Sequence, residues 1–211
     1  MVPTREEMRA ALEGRQGKEL TEAFSQAAVA VCGLGGLGSH IAAALVRAGI
    51  GKLILVDYDR VDVGNLHRQQ YGASQVGRFK TEALAENLRE MAPYVELEIH
   101  TVRVGEENGV ALLDGADVIC EAFDDARCKA MLANLVLERL PEKYLVAASG
   151  MAGFGSPNGI RTRRVAERFY LCGDGTSEAA DGVGLAAPRV MACAAHQAMT
   201  VLRILAGEFD V

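Results

Sequence analysis

Apolar and polar residues alternate along this chain in blocks that predict strands and helices in turn. Short runs of branched aliphatic residues are typical of buried strands, and longer segments with apolar residues at three- and four-residue steps are typical of helices. The predicted helices are 5–12, 18–26, 36–48, 79–91, 106–113 and 126–140, and the predicted strands are 29–32, 52–56, 95–102, 118–120 and 144–148.

Strands separated by helices of this length are joined by crossovers and therefore pair in parallel. The predicted fold class is α/β, with a Rossmann-like, doubly wound, mostly parallel sheet. Short runs at 160–165 and 169–172 predict an antiparallel C-terminal extension. The polar, glycine-rich residues 173–187 predict a mobile loop, and a last helix over 188–206 has a broad apolar face for the core or for a dimer interface.

Length and composition limit the number of domains and the classes of function that the chain can have. The chain has 211 residues, of which 50% are hydrophobic, so we expect a single domain over 1–211, with a helical opening region at 1–27. A net charge of -6 and a pI near 5.3 argue against a nucleic-acid partner. Residues 1–7 lack the apolar core of a signal peptide and no run of 18 apolar residues occurs, so we expect a cytoplasmic protein without membrane contact.

The cysteines and histidines show no metal-ligand spacing. The five cysteines contain no C-x-x-C pair, which is typical of a protein from a reducing compartment. Structural zinc needs four Cys or His ligands held close together. The sequence therefore predicts no zinc site.

A glycine motif follows the first predicted strand: Gly33, Gly35, Gly36 and Gly38 within GLGGLG. This spacing lets the backbone turn tightly and brings the start of the next helix up to phosphate oxygens. Asp57, at the end of the second predicted strand, is placed to accept a hydrogen bond from a ribose hydroxyl. Together these residues predict a nucleotide site, although a dehydrogenase that binds NAD has the same pattern.

A polar and cationic set downstream favours ATP over NAD. It consists of Asn65, Arg68 and Lys80. NAD carries only a diphosphate, whereas ATP brings a triphosphate whose negative charge has to be met by cations. No spacing of Ser, Tyr and Lys or of His and Asp indicates a proton donor for hydride transfer. An NAD-dependent oxidoreductase and, behind it, a nucleotide-binding regulator without chemistry remain the alternatives.

Five motifs in this order resemble the ThiF/MoeB/HesA family, relatives of the ubiquitin-activating enzymes. They are Gly33-Leu-Gly-Gly-Leu-Gly38, Asp57-Tyr-Asp59, Asn65-Leu-His-Arg68-Gln69, Val76-Gly-Arg-Phe-Lys80 and Phe123-Asp-Asp125. The short chain and the passage 184–189 are most similar to the compact ThiF form. The resemblance implies ATP-dependent adenylation of the C-terminal glycine of a ubiquitin-like sulfur carrier with a Gly-Gly tail, in thiamine thiazole biosynthesis. A molybdopterin-type or other sulfur-carrier pathway is the alternative.

The resemblance also implies roles for individual residues. Asn65, Arg68 and Lys80 would contact the phosphates, and Asp124 would hold Mg²⁺, which takes oxygen ligands. Asp124 has a rival role as the N-cap of the next helix, which Asp125 could serve instead. Arg15 corresponds to an arginine that reaches across a homodimer into the partner's triphosphate. Arg9 could fill that position, and a plain surface role for Arg15 is the other alternative.

Two features depart from the family pattern or stay open. The two C-x-x-C pairs that bind zinc in many family members are missing, with at most Cys172 near the place of the first pair. Some relatives use a loop cysteine to form a covalent link with the carrier. The acids Asp174 and Glu178 near Cys172 would not lower the pKa of its thiol, so Cys172 is left out of the predicted site.

Overall fold

The computed structural model describes residues 2–177 and 183–211. The strands in these residues are β1 (Ala28–Cys32), β2 (Lys52–Val56), β3 (Glu96–His100), β4 (Val118–Glu121), β5 (Tyr144–Ala148), β6 (Arg161–Ala166) and β7 (Phe169–Gly173). They form one sheet in the order β3-β2-β1-β4-β5-β7-β6. Neighbouring strands run parallel, except that β6 and β7 are antiparallel. The predicted doubly wound sheet with an antiparallel C-terminal extension is confirmed.

Helices cover both faces of the sheet. They are α1 (Arg5–Gln16), α2 (Lys18–Gln26), α3 (Gly36–Ala48), α4 (Lys80–Met91), α5 (Gly109–Leu113), α6 (Ala126–Arg139) and α7 (Ala187–Leu205). Successive side chains of a strand point to opposite faces. In β1, Val29 and Val31 pack on the face of α3, α4 and α7, whereas Ala30 and Cys32 pack on the face of α5 and α6. No helix within the two described ranges is long and apolar enough to cross a membrane.

The apolar face of α7 belongs to the core of this chain. Val190, Ala194, Ala198 and Val201 are buried in the cluster that also contains residues of α3 and β5. Helix α7 packs against α3, the helix that starts within the glycine motif. This face therefore gives no separate support for a dimer interface.

Some predicted boundaries shift for local reasons. Helix α1 continues to Gln16, four residues beyond its predicted end, and stops at Gly17, whose φ of +92° breaks the helix. Helix α5 begins at Gly109 rather than at residue 106. The preceding turn is held by Asn108, whose side-chain oxygen accepts a hydrogen bond from the backbone N–H of Gly105 at 2.8 Å. Strand β3 is likewise shorter than the predicted 95–102.

The segment predicted as a loop over 173–187 is described only at its two ends. Gly173 is the last residue of β7 and Ala187 is the first residue of α7. The carboxylate of Asp174 accepts hydrogen bonds from backbone N–H groups of the next turn at 3.0 Å and forms an ion pair with the buried Arg189. Residues 178–182, at the centre of the predicted loop, lie outside the described residues.

Candidate functional site

A pocket of about 480 Å³ lies at the carboxyl ends of the central strands. The strand order reverses there between β1 and β4, and doubly wound sheets bind their ligands at this kind of crevice. The pocket wall includes eight of the ten predicted site residues: Gly33, Gly35, Gly36, Asp57, Asn65, Arg68, Lys80 and Asp124. Gly38 and Arg15 lie elsewhere.

The glycine loop between β1 and α3 packs tightly against the neighbouring backbone. Gly33 has a φ of +88°, and a β-carbon there would lie 2.8 Å from the carbonyl oxygen of Ala122. A β-carbon at Gly38 would lie 1.8 Å from the carbonyl oxygen of Gly33. Gly38 therefore serves the packing of α3 against the loop, while Gly35 and Gly36 are on the pocket wall. The N-terminus of α3 is thus open to a phosphate group.

Asp57 ties the glycine loop to the end of β2. Its buried carboxylate accepts hydrogen bonds from the backbone N–H groups of Leu34 at 2.6 Å and of Asp59 at 2.8 Å. A carboxylate has about four lone-pair sites, so it can still accept a hydrogen bond from a ribose hydroxyl. Asp57 therefore holds the loop in shape, in addition to the ribose contact that the sequence predicts.

Lys80, at the start of α4, is paired with an acid that was not predicted as a site residue. Its Nζ donates to Oδ2 of Asp59 at 2.7 Å, and the side chain of Lys80 is 8% exposed whereas that of Asp59 is 48% exposed. A buried ammonium group needs such a partner. Asp59 thus fixes the ammonium group of Lys80 at the pocket wall. An incoming phosphate would either share Lys80 with Asp59 or replace Asp59 as its partner.

Asn65 ends a short 3-10 helix (Val63–Asn65), and Arg68 lies in the turn that follows it. Asp62 caps this helix by accepting from the backbone N–H of Gly64 at 2.8 Å, and the side-chain oxygen of Asn65 accepts from the N–H of Asp62 at 3.0 Å. The guanidinium group of Arg68 donates to the carbonyl oxygen of Gly64 at 3.0 Å. This segment therefore holds an amide and a guanidinium group on the pocket wall that also carries Lys80.

The two acids before α6 have different roles. Asp125 is the N-cap: its carboxylate accepts from the backbone N–H of Cys128 at 2.8 Å, and this hydrogen bond lowers the pKa of Asp125. Asp124 is exposed on the pocket wall and does not cap the helix. Of the two alternatives left open by the sequence, the structure thus gives the capping role to Asp125. The Asp124 carboxylate is available for a cation.

Gln69 contributes a buried polar group beside the glycine loop. Its Nε2 would lie 3.7 Å from a β-carbon placed at Gly35, and its Oε1 has no hydrogen-bond partner among residues 2–177 and 183–211. Buried polar groups are normally satisfied, so this amide oxygen, which is itself buried although Gln69 lines the pocket, is an exception among the described residues. Gln69 stands in the motif next to Arg68, but its role was not predicted.

Acids and bases on the pocket wall are equal in number. The described residues place five of each there: Asp57, Asp59, Asp62, Asp124 and Asp125, and Arg60, Arg68, Lys80, Arg103 and Lys129. A triphosphate in this pocket would meet as many carboxylates as cations. A divalent cation held between a carboxylate and the phosphates would offset this repulsion. The donor set therefore fits a Mg²⁺–nucleotide complex.

Within the described part of the chain, no three His, Cys, Asp or Glu side chains are grouped to hold a metal ion by themselves. Mg²⁺ does not need such a group, because one or two carboxylates together with phosphates and waters suffice. Structural zinc does need one. We predict that elemental analysis of the purified protein finds well below one zinc per chain. A stoichiometric zinc that resists chelators would contradict this prediction.

Arg15 lies at the far end of α3 from the pocket. Its neighbour Gln16 donates to the carbonyl oxygen of Ala48, the last residue of α3, at 3.0 Å. Helix α3 starts at the glycine loop and spans about 20 Å at 1.5 Å per residue. Arg15 is exposed. The alternative candidate, Arg9, is paired with two glutamates of α1 and α2 at 2.9 and 2.5 Å.

Cys172 is a core residue. It is fully buried in β7, and burial raises the pKa of its thiol. Its Sγ lies 3.5 Å from the hydroxyl of Thr162 and 3.8 Å from that of Thr200. A reactive cysteine needs access and a lowered pKa, so this setting supports its exclusion from the site.

Curated relatives match about half of the chain. Adenylyltransferase and sulfurtransferase MOCS3 of Caenorhabditis briggsae is 35% identical over 126 residues, which are 59% of this chain and 31% of that protein. Sulfur carrier protein adenylyltransferase of Thermus thermophilus is 38% identical over 110 residues, which are 52% of this chain and 41% of that protein. The match thus spans less than half the length of these relatives.

The fold is shared with solved structures over nearly the whole chain. The structure of E. coli tRNA N6-threonylcarbamoyladenosine dehydratase, TcdA, in complex with ATP superposes with a TM-score of 0.88 at 22% identity, covering 99% of this chain and 98% of that one. The sequence model of the ThiF family matches residues 8–210. The chain therefore belongs to the ThiF family.

Proposed function

We propose that this protein is an adenylyltransferase that uses ATP to activate the C-terminal glycine carboxylate of a ubiquitin-like sulfur carrier protein. The observation that carries the proposal is one pocket wall that joins the glycine loop and Asp57 to Arg68, Lys80 and Asp124. The names of the curated relatives support the same chemistry. Thiamine thiazole biosynthesis in the cytoplasm is the role we propose, with a molybdopterin-type or other sulfur carrier as the alternative.

The reaction needs charge compensation rather than a general base. The carrier carboxylate is ionised at neutral pH. One of its oxygens forms a bond to the α-phosphorus of ATP, and the bond from that phosphorus to the pyrophosphate breaks. Because two anions approach each other, the barrier falls when cations are positioned at the phosphates. Arg68 and Lys80 supply fixed positive charge, and the backbone N–H groups at the start of α3 supply partial positive charge.

We assign Asp124 to Mg²⁺ and Asp57 to the ribose. When bound, Mg²⁺ neutralises phosphate charge, which the balanced wall of five acids and five bases does not do alone. Asp59 holds Lys80 in place at 2.7 Å. This pair keeps the cation ordered at the wall, so less side-chain entropy is lost when a phosphate reaches it.

The carrier tail is proposed to enter along the segment after β5. Ser149, Gly150, Met151 and Ala152 continue the pocket wall, and the backbone N–H of Gly153 pairs with the carbonyl oxygen of residue 184 at 2.7 Å. Ser149, Gly150 and Ala152 have small side chains or none, which leaves room for an extended backbone, and a Gly-Gly tail is the thinnest chain that a protein can present. This placement supports a glycine-ended carrier as the substrate. The acidic chain, with its net charge of -6, does not favour a nucleic-acid substrate.

Exchange of labelled pyrophosphate into ATP tests the proposal. The purified protein should catalyse this exchange only when a ubiquitin-like sulfur carrier is present, because the acyl-adenylate forms reversibly on the carrier carboxylate. A carrier that lacks its terminal glycine is the matched control and should support no exchange. Tight binding of NAD together with no exchange on any such carrier would favour the oxidoreductase alternative and contradict the proposal.

A further inference from the structure

An ion pair between a buried carboxylate and a lysine that is 20% exposed lies next to the turn that carries Asp124. Glu121, the last residue of β4, is 1% exposed, and Nζ of Lys129 in α6 donates to its two carboxylate oxygens at 3.1 and 3.0 Å. The same ammonium group donates to the carbonyl oxygen of Ala148, at the end of β5, at 3.0 Å. An ammonium has three N–H groups, so these contacts use all of them. Lys129 lies on the pocket wall without a spare donor for a phosphate.

The carboxylate of Glu121 shapes the turn between β4 and α6. Its Oε1 accepts from the backbone N–H of Phe123, directly before Asp124, at 2.7 Å. The same turn touches the glycine loop, because the carbonyl oxygen of Ala122 is the atom that a side chain at Gly33 would meet. One carboxylate thus connects β4, the Asp124 turn and, through Lys129, the end of β5.

Stability alone does not account for this pair. Burial raises the pKa of Glu121, and the charge of Lys129 opposes that rise. Because two charges lose their hydration, a buried ion pair is often no more stabilising than apolar residues of the same volume. The pair differs in one respect from an apolar replacement: it fixes backbone positions by directed hydrogen bonds. Those positions lead to the residue proposed to hold the metal.

We propose that the Glu121–Lys129 pair is a positioning unit that fixes Asp124 for the Mg²⁺–nucleotide complex. The inference rests on the proposed function and adds to it two residues that were not predicted. Neither residue needs to touch the nucleotide, since both act through the turn that ends at Asp124. The pair therefore sets how strongly Mg²⁺ improves the binding of ATP.

Lys129→Met tests the inference, because it keeps the length of the side chain and removes the ammonium group. Calorimetric titration of the 211-residue chain gives the ATP dissociation constant with and without Mg²⁺. We expect the gain in ATP affinity on adding Mg²⁺ to fall by about tenfold, as is typical when a residue that supports a metal ligand is replaced. Affinity without metal should stay close to that of the parent, because Arg68, Lys80 and the glycine loop are unchanged.

A double-mutant cycle shows whether Lys129 acts through Asp124. Asp124→Asn should remove the Mg²⁺ response, and adding Lys129→Met to it should cause no further loss, because the effects of two residues that act in one connected network are not additive. Lys129→Arg keeps the charge and should retain most of the response. Lys143→Met is the matched control, since Lys143 pairs with Glu142 away from the pocket, and it should change nothing.

Folding of the variants is checked by circular dichroism. If Lys129→Met alone does not fold, Glu121→Gln with Lys129→Met removes both charges, leaves no unpaired buried acid and still cuts the connection to β5. A folded variant with an unchanged Mg²⁺ response, or additive losses in the cycle, would overturn the inference. Parent protein that binds no ATP would instead contradict the proposed function itself, and the two failures are distinguished by this control.

Discussion

Replacing Asp124 or Arg68 by alanine is expected to slow carrier adenylation by about 10²–10³-fold. Both side chains are on the pocket wall, and neither belongs to the apolar core. In the proposed reaction they hold or supply positive charge at phosphates whose charge distribution changes in the transition state, so their loss affects the rate more than ATP binding. Single-turnover formation of the carrier adenylate gives the rate, and circular dichroism shows that the fold is intact.

Asp125→Ala is the matched control for Asp124→Ala, because the two acids are adjacent and have different partners. Loss of the Asp125 cap should lower the melting temperature, while adenylation stays near the parent rate. Asp124→Ala should do the reverse. Lys80→Ala should resemble Arg68→Ala if Lys80 faces the phosphates. If the Asp124→Ala variant kept a rate within about threefold of the parent rate, Asp124 would not be the residue that holds Mg²⁺.

The fold could be predicted because each element of the core carries a local signal. Helix α3 and strand β2 have the predicted bounds, since the helix starts within the glycine motif, at Gly36, and ends before Gly49, whose φ of +90° favours glycine. The bounds of α1 and α5 were less accurate. These bounds depend on the glycine cap at Gly17 and on the turn held by Asn108. Several different sequences can form such a cap or turn, so the apolar pattern alone does not fix the boundary.

Motif order brought eight of the ten predicted site residues to one pocket wall, because the carboxyl ends of parallel strands converge however far apart they lie in the sequence. Side-chain partners could not be predicted in the same way. The pairing of Asp59 with Lys80 joins a loop to a helix 21 residues later and depends on packing. For Glu121 a signal was present: an acid that ends a buried strand needs a cation, and Lys129 follows on the next helix.

Mixing Arg15→Ala chains with Asp124→Ala chains is expected to restore adenylation that neither variant has alone. We propose that the working unit is a homodimer and that Arg15 reaches the triphosphate in the partner's pocket. Within its own chain Arg15 is exposed, and its neighbour Gln16 contacts the last residue of α3, about 20 Å from the glycine loop. An arginine supplied across an interface to a phosphoryl group typically changes the rate by about 10³-fold or more.

In a mixed dimer, one pocket has both substitutions and the other has neither, so each mixed dimer holds one intact site. With equal amounts and random subunit exchange, half of the dimers are mixed and about a quarter of all sites are active.

Arg9→Ala mixed with Asp124→Ala is the matched control. Because Arg9 is held by two glutamates of its own chain, Arg9→Ala should be active by itself. Full activity of Arg15→Ala alone would contradict the proposal that Arg15 acts in the partner's pocket. So would a mixture that recovers no activity although differently tagged subunits show that exchange has taken place. Adenylation within one chain would remain possible in either case, because the pocket that carries Arg68, Lys80 and Asp124 is built from a single chain.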